Sequence, residues 1–166
     1  MKINLKSIFR IKPTSKDEQT VDKENTDYDK NAEFYYTNLT NSIILFSLTS
    51  QELEKLAEPV FNPMTELETE IDYAFTPICF DTIFRKGLID ISIREELLQF
   101  KKWTDDIPSR IWDWEFIDNH ETWVKTRLKA NALLDKLGVT SRTYNNDNET
   151  IYDNKGHIIK KGKNST

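Results

Sequence analysis

Glycine occurs four times in 166 residues, cysteine once and histidine twice. So few glycines leave no glycine-rich phosphate loop, and the chain has neither a Gly-x-Ser-x-Gly turn nor a His-Glu-x-x-His zinc pair. His120-Glu121 begins the last of these motifs, but position 124 is valine and the second imidazole is missing. With Cys79 alone, an internal disulfide and a cysteine-based zinc site are both excluded, which fits a reducing compartment. Long apolar runs are lacking too. The greasiest stretch, SIILFSL at 42–48, is far too short to span a bilayer, and MKINLKSIFRIK at the N-terminus has no run long enough for a signal-peptide core. These absences predict a soluble, cytoplasmic protein with no membrane partner and no metal or other cofactor.

Charge is abundant but unevenly placed. Residues 1–31 carry seven Lys/Arg against six Asp/Glu, residues 32–140 eleven against nineteen, and residues 141–166 five against three. The net charge of −5 therefore belongs to the middle of the chain. An acidic unit repels phosphates and gains nothing from counterion release, so direct nucleic-acid binding is disfavoured. A basic protein is the natural partner, because opposite potentials speed encounter.

Three regions follow from composition. Residues 1–31 form an N-terminal segment whose stretch 12–31 contains no Leu, Ile, Phe, Trp or Met, so it cannot bury enough apolar surface to offset its ordering and is expected to be a flexible linker. Residues 32–140 form the domain. Residues 141–166 are a polar tail in which TIYDNKGHII suggests a β-hairpin turning at Asp153-Asn154-Lys155-Gly156.

Within the domain the punctuation is helical. Thr49 with Glu52 and Ser92 with Glu95 are capping boxes, and Asp118 with Glu121 opens the strongest helix, which Gly138 closes. Asn62-Pro63 and Thr76-Pro77 each place proline at a first helical position, and Gly87 ends the helix that follows the second. Pro59 ends the segment behind Thr49, and Pro108 begins a short helix around SRIWDWEF. Apolar residues recur at helical spacing, as in Met64, Leu67, Ile71 and Phe75, or Trp123, Ala130, Leu133, Leu134 and Leu137. Residues 34–48 fit two patterns: Tyr35, Leu39, Ile43 and Phe46 suit a helix, whereas the β-branched and aromatic content suits a strand, and the segment is assigned to helix with the strand left as the alternative. The expected fold is all-α, a compact helical bundle between a flexible N-terminal linker and a C-terminal hairpin.

Candidate functional residues are acids and tryptophans. Between Glu52 and Asp72 stand seven acids and one base, including Glu66, Glu68, Glu70 and Asp72. On a helix only Glu66–Glu70 and Glu68–Asp72 are neighbours. Their plain role is a solvated acidic face, and their functional one a docking surface for a basic partner. Three of the four tryptophans fall in IPSRIWDWEFIDNHETW, residues 107–123, beside Asp105, Asp106 and Asp113. Trp112 and Trp114 stand about 200° apart on a helix and cannot share one core seam. One of them is then free to anchor a partner inside an acidic rim. Trp123 has Arg127 four residues on, placed to stack across its ring. The isolated Cys79 is expected to be a buried structural residue rather than half of a Cys–His catalytic pair.

IPSRIW at 107–112, followed by TWVKTRLKANALLDKLG at 122–138, resembles the small α-helical immunity proteins of bacterial contact-dependent inhibition and other polymorphic toxin systems. The resemblance covers residues 50–138. It implies a non-catalytic inhibitor that binds the toxin encoded by a neighbouring gene and blocks its active site or substrate surface. Many such toxins are nucleases with basic, phosphate-binding clefts. The family has no shared binding residues to carry over, so the expected partner-binding set of Glu66, Glu68, Glu70, Asp72, Asp105, Asp106, Trp112, Asp113 and Trp114 rests on charge and aromaticity. Two alternatives stand beside it: a small hydrolase using carboxylates on facing helices, and an acidic regulatory protein that binds a host factor.

Overall fold

The computed structural model describes residues 28–58, 61–145, 147, 150–152 and 157–161. Most of the expected linker and the expected turn at Asp153–Gly156 lie outside the described residues.

Helix α1 (Ala32–Ser47) is the axis of an all-α fold, with helices α3 (Pro63–Ala74), α4 (Pro77–Arg85) and α7 (Glu121–Lys136) packed on it. Ile43 and Leu45 point about 200° apart, yet both are 0% exposed. From Leu39 to Ser47 every side chain is buried, and a stretch covered on all sides needs no polar face, which explains the mixed pattern of that half of the helix. Its buried hydroxyls are satisfied within the helix: Ser42 donates to Leu39 O at 2.9 Å, Ser47 to Ile44 O at 2.7 Å and Thr40 to Thr37 O at 2.9 Å.

The other helices begin and end by local chemistry. Thr49 and Glu52 form the expected capping box on α2 (Ser50–Glu54), which stops well short of Pro59 and buries only Leu53. Asn62 caps α3 by accepting from Met64 N at 3.1 Å. Gly87 (φ 67°) and Gly138 (φ 72°) end α4 and α7 in the left-handed region. At each, the next amide reaches back into the last turn, Leu88 N to Ile83 O at 3.1 Å and Val139 N to Leu134 O at 2.9 Å.

Two expected helix starts are corrected. Ser92 does not cap; Asp90 accepts from Ser92 N at 2.8 Å and opens a 3₁₀ turn, Ile91–Ile93, ahead of α5 (Arg94–Asp105). The cap of α7 is His120, whose Nδ1 accepts from Thr122 N at 3.2 Å, because Asp118 is engaged elsewhere. The helix expected after Pro108 is two pieces, a 3₁₀ turn Ser109–Ile111 and a single turn α6 (Trp114–Ile117) capped by Asp113.

Arg127 is also corrected. It does not stack on Trp123. Its guanidinium donates to Leu48 O at 3.1 Å, Ile117 O at 2.8 Å and Asp118 Oδ1 at 2.6 Å, so one side chain joins the ends of α1 and α6 to α7. Trp123 is 3% exposed and stacks on Phe46, centroids 6.1 Å apart at 16°, while Trp112 meets it edge-on at 5.0 Å. The Trp123 indole donates to Ile111 O at 2.7 Å, and the Trp103 indole to Thr126 Oγ1 at 2.8 Å. Burying a tryptophan of this kind is worth about 5 kcal/mol in transfer terms.

Packing continues past residue 140. Tyr144 is buried against Phe61, and Asn145 is held by Asn41 through paired bonds of 2.6 and 2.9 Å. Beyond it, β1 (Thr150–Tyr152) pairs antiparallel with β2 (Ile158–Lys161).

Candidate functional site

Residues Glu66, Glu68, Glu70 and Asp72 all lie on α3, and the helix divides them. Side chains two residues apart diverge by about 200°, so alternate acids leave by opposite flanks. Glu68 and Asp72 line one flank, Glu66 and Glu70 the other. The expected partner-binding set is therefore not one surface.

The first flank forms the wall of a cleft of about 440 Å³ between α3 and the end of α5. Asp105 and Ser109 face Glu68 and Asp72 across it, and Phe46, Ile107 and Trp112 supply its apolar floor. Trp112 is half-buried, edge-on to Phe46 at 6.3 Å, with its indole donating to Ile107 O at 3.3 Å. The stacked core thus holds the tryptophan rigid at the bottom of the opening. Four of the expected residues, Glu68, Asp72, Asp105 and Trp112, meet here although as many as 44 positions separate them in sequence.

Lys101 was not among the expected residues. Its ammonium lies 2.9 Å from Asp72 and also bonds Asp105. Burial alone would lower its pKa, but the hydrogen bonds to Asp105 and Asp72 outweigh it and hold the group above the ordinary lysine value. One lysine pairs with two of the cleft's three carboxylates, so the cleft keeps a negative balance. The Lys101–Asp105 spacing of four is visible in the sequence; the reach to Asp72 is not.

The remaining expected residues lie elsewhere. Glu66 and Glu70 border a shallower groove of about 320 Å³ with Phe34, Asn38, Thr69 and Tyr73, and Glu70 accepts the Tyr144 hydroxyl. Asp106 pairs with Lys102 at 2.7 Å in open solvent. Asp113 is spent as the cap of α6, accepting from Glu115 N at 3.4 Å. Trp114, at the start of that turn, is 39% exposed, whereas Trp123 and Trp112 pack inward. The separation expected of Trp112 and Trp114 is thus present, with Trp114 the wet ring.

Cys79 is a buried free thiol, and the Nδ1 of His120 is occupied in capping α7. Among the described residues no group of three or more His, Cys, Asp or Glu could hold a metal ion. No described helix is long and apolar enough to cross a membrane. Compared with family models, with curated proteins and with solved structures, the chain matches none.

Proposed function

We propose that this protein is a non-catalytic binding protein of the immunity type, which neutralises a cognate bacterial toxin domain by covering its active site or substrate surface. The observation that supports this most is the cleft in which Glu68, Asp72 and Asp105 surround a rigid Trp112. Carboxylates around an aromatic floor suit a basic side chain carried on an apolar stem, since the ring and Phe46 take the methylenes and the acids take the charge. The same field repels phosphate, so the partner is the basic protein and not its nucleic-acid substrate. Two features divide the work. The acids steer encounter and set its salt dependence, and an aromatic anchor, Trp112 in the cleft or the exposed Trp114, limits dissociation.

The test is calorimetry between this protein and the product of the gene immediately upstream, at two salt concentrations, with the neighbour's toxicity followed in parallel. Tight, salt-weakened binding with loss of toxicity is expected. Absence of binding would overturn the proposal, as would a hydrolytic activity of this protein alone that disappears in Glu68→Gln.

A further inference from the structure

The cations of α5 and α7 are paired with acids, with one exception. Arg94 meets Asp81 at 3.0 Å, Lys101 lies between Asp72 and Asp105, and Lys102 meets Asp106 at 2.7 Å. On α7, Lys125 bonds Glu121, Arg127 meets Asp118 at 2.6 Å and Lys136 meets Glu96 at 2.7 Å. Lys129 pairs with no carboxylate among the described residues; its ammonium rests 4.7 Å from the centre of the Trp103 ring. Lys129 and Trp103 both line a groove of about 340 Å³ between α5 and α7. Phe100 and Leu133, 4% and 2% exposed, give it an apolar floor. The Trp103 ring is fixed, because its indole donates to Thr126 Oγ1 at 2.8 Å. The groove's one acid, Glu96, accepts from Lys136 on both oxygens, at 2.7 and 2.8 Å. What is left is an apolar slot with a single uncompensated positive charge.

We propose that this groove binds a small aromatic monocarboxylate, its ring laid on Phe100 and Leu133 beside Trp103 and its carboxylate held by the Lys129 ammonium. An ammonium carries three donors, and only one side of it meets the indole face, so the rest of the group is available to an oxygen. One cation matches one carboxylate. A polyanion finds no second charge here and is repelled by the acidic domain, and an organic cation meets Lys129 itself. The volume lies at the small end of ligand pockets, about 300–1,000 Å³, which suits one or two rings rather than a long acyl chain. The groove shares no lining residue with the acidic cleft, so the inference does not depend on toxin binding.

The test titrates the isotopically labelled full chain with 2-naphthoate and, separately, with 2-naphthamide, a neutral molecule of the same shape. The Trp103 indole resonance and the amides of Gln99 and Ala132 are expected to shift to saturation. The carboxylate should bind about fivefold more tightly than the amide, the contribution of one exposed ion pair. Lys129→Gln, which keeps helix propensity, should make the two probes bind alike, whereas Lys129→Arg should preserve the difference. Lys125→Gln, one turn away and paired with Glu121, should leave the preference as it was. Ala132→Trp fills the groove and should abolish both titrations. Equal binding of the two probes by the unaltered chain would overturn the proposal, and so would shifts that never saturate or that centre on Trp112. A preference that survives Lys129→Gln, or that falls equally in Lys125→Gln, would show general attraction to positive charge and overturn it too. No toxin takes part in these measurements, so their failure leaves the immunity proposal standing.

Discussion

Arg127 and Asp118 stand nine residues apart and face each other at 2.6 Å, and the same guanidinium reaches the carbonyls of Leu48 and Ile117. Asp118 completes the clasp from its other side, accepting the Ser50 amide at 3.1 Å and the Ser50 hydroxyl. Arg127→Met keeps the stem but takes the guanidinium from two backbone carbonyls and from Asp118, which keeps its bonds from Ser50. A loss of about 2–3 kcal/mol is expected, read from the urea midpoint at unchanged slope. Arg127→Lys should recover less than half, because one ammonium cannot serve three acceptors in fixed directions.

The clasp also sets an acid sensitivity. Burial pushes the Asp118 carboxyl up, but the Ser50 hydroxyl and amide, and then Arg127, hold it below its ordinary value. A depressed carboxylate adds stability above its unfolded pKa, near 4, and that stability disappears as pH falls through the folded value. Glu52, held low by the Thr49 amide and hydroxyl, acts in the same direction. Asp118→Asn should therefore melt below the unaltered protein at pH 6, with the two melting temperatures converging toward pH 3. A gap that stays constant across that range would contradict the assignment.

Trp123 and Trp114 should behave oppositely. Trp123→Ala removes the ring stacked on Phe46 and is expected to cost about 3–5 kcal/mol. Trp114→Ala removes a 39% exposed ring and should change stability by less than about 0.5 kcal/mol. Thermal melts of the two variants decide this. If Trp114 is the partner's anchor, its variant folds normally and dissociates at least about tenfold faster from the toxin.

The two flanks of α3 make a paired prediction for association. Glu68→Lys with Asp72→Lys reverses the cleft wall and should slow association with a basic partner by about tenfold, with a flatter salt dependence. Glu66→Lys, on the other flank, should change the rate by less than about twofold at physiological salt, where screening acts over about 8 Å. Stopped-flow rates at several salt concentrations separate them; equal effects would show that overall charge, rather than the cleft, governs encounter.

Gly138→Ala isolates backbone strain, because a β-carbon there meets nothing within 4 Å while φ stays at 72°. A cost of about 1–2 kcal/mol is expected from the left-handed conformation alone. Gly87, at 67° and equally open, should respond alike, and the denaturation midpoints of both variants test it.

Sequence by itself determined where most of the helices outside residues 34–48 lie and several of the signals that bound them. Asn62-Pro63, the Thr49–Glu52 box, Gly87 and Gly138 act within one turn, so their chemistry is local and legible. It also determined that Trp112 and Trp114 must diverge and that the acids of α3 cannot all share one face, since both follow from the angle between neighbouring helical positions. Tertiary structure alone decided the rest. Asp118 looks like a cap until Ser50 and Arg127, brought from other helices, take its oxygens and leave the cap to His120. Segment 34–48 has no clear helical stripe because three helices cover α1. The cleft exists only because α3 and the end of α5 meet over Phe46 and Trp112, contacts between positions dozens of residues apart. Such long-range pairings depend on which buried faces fit one another, and no pattern within a single helix records that.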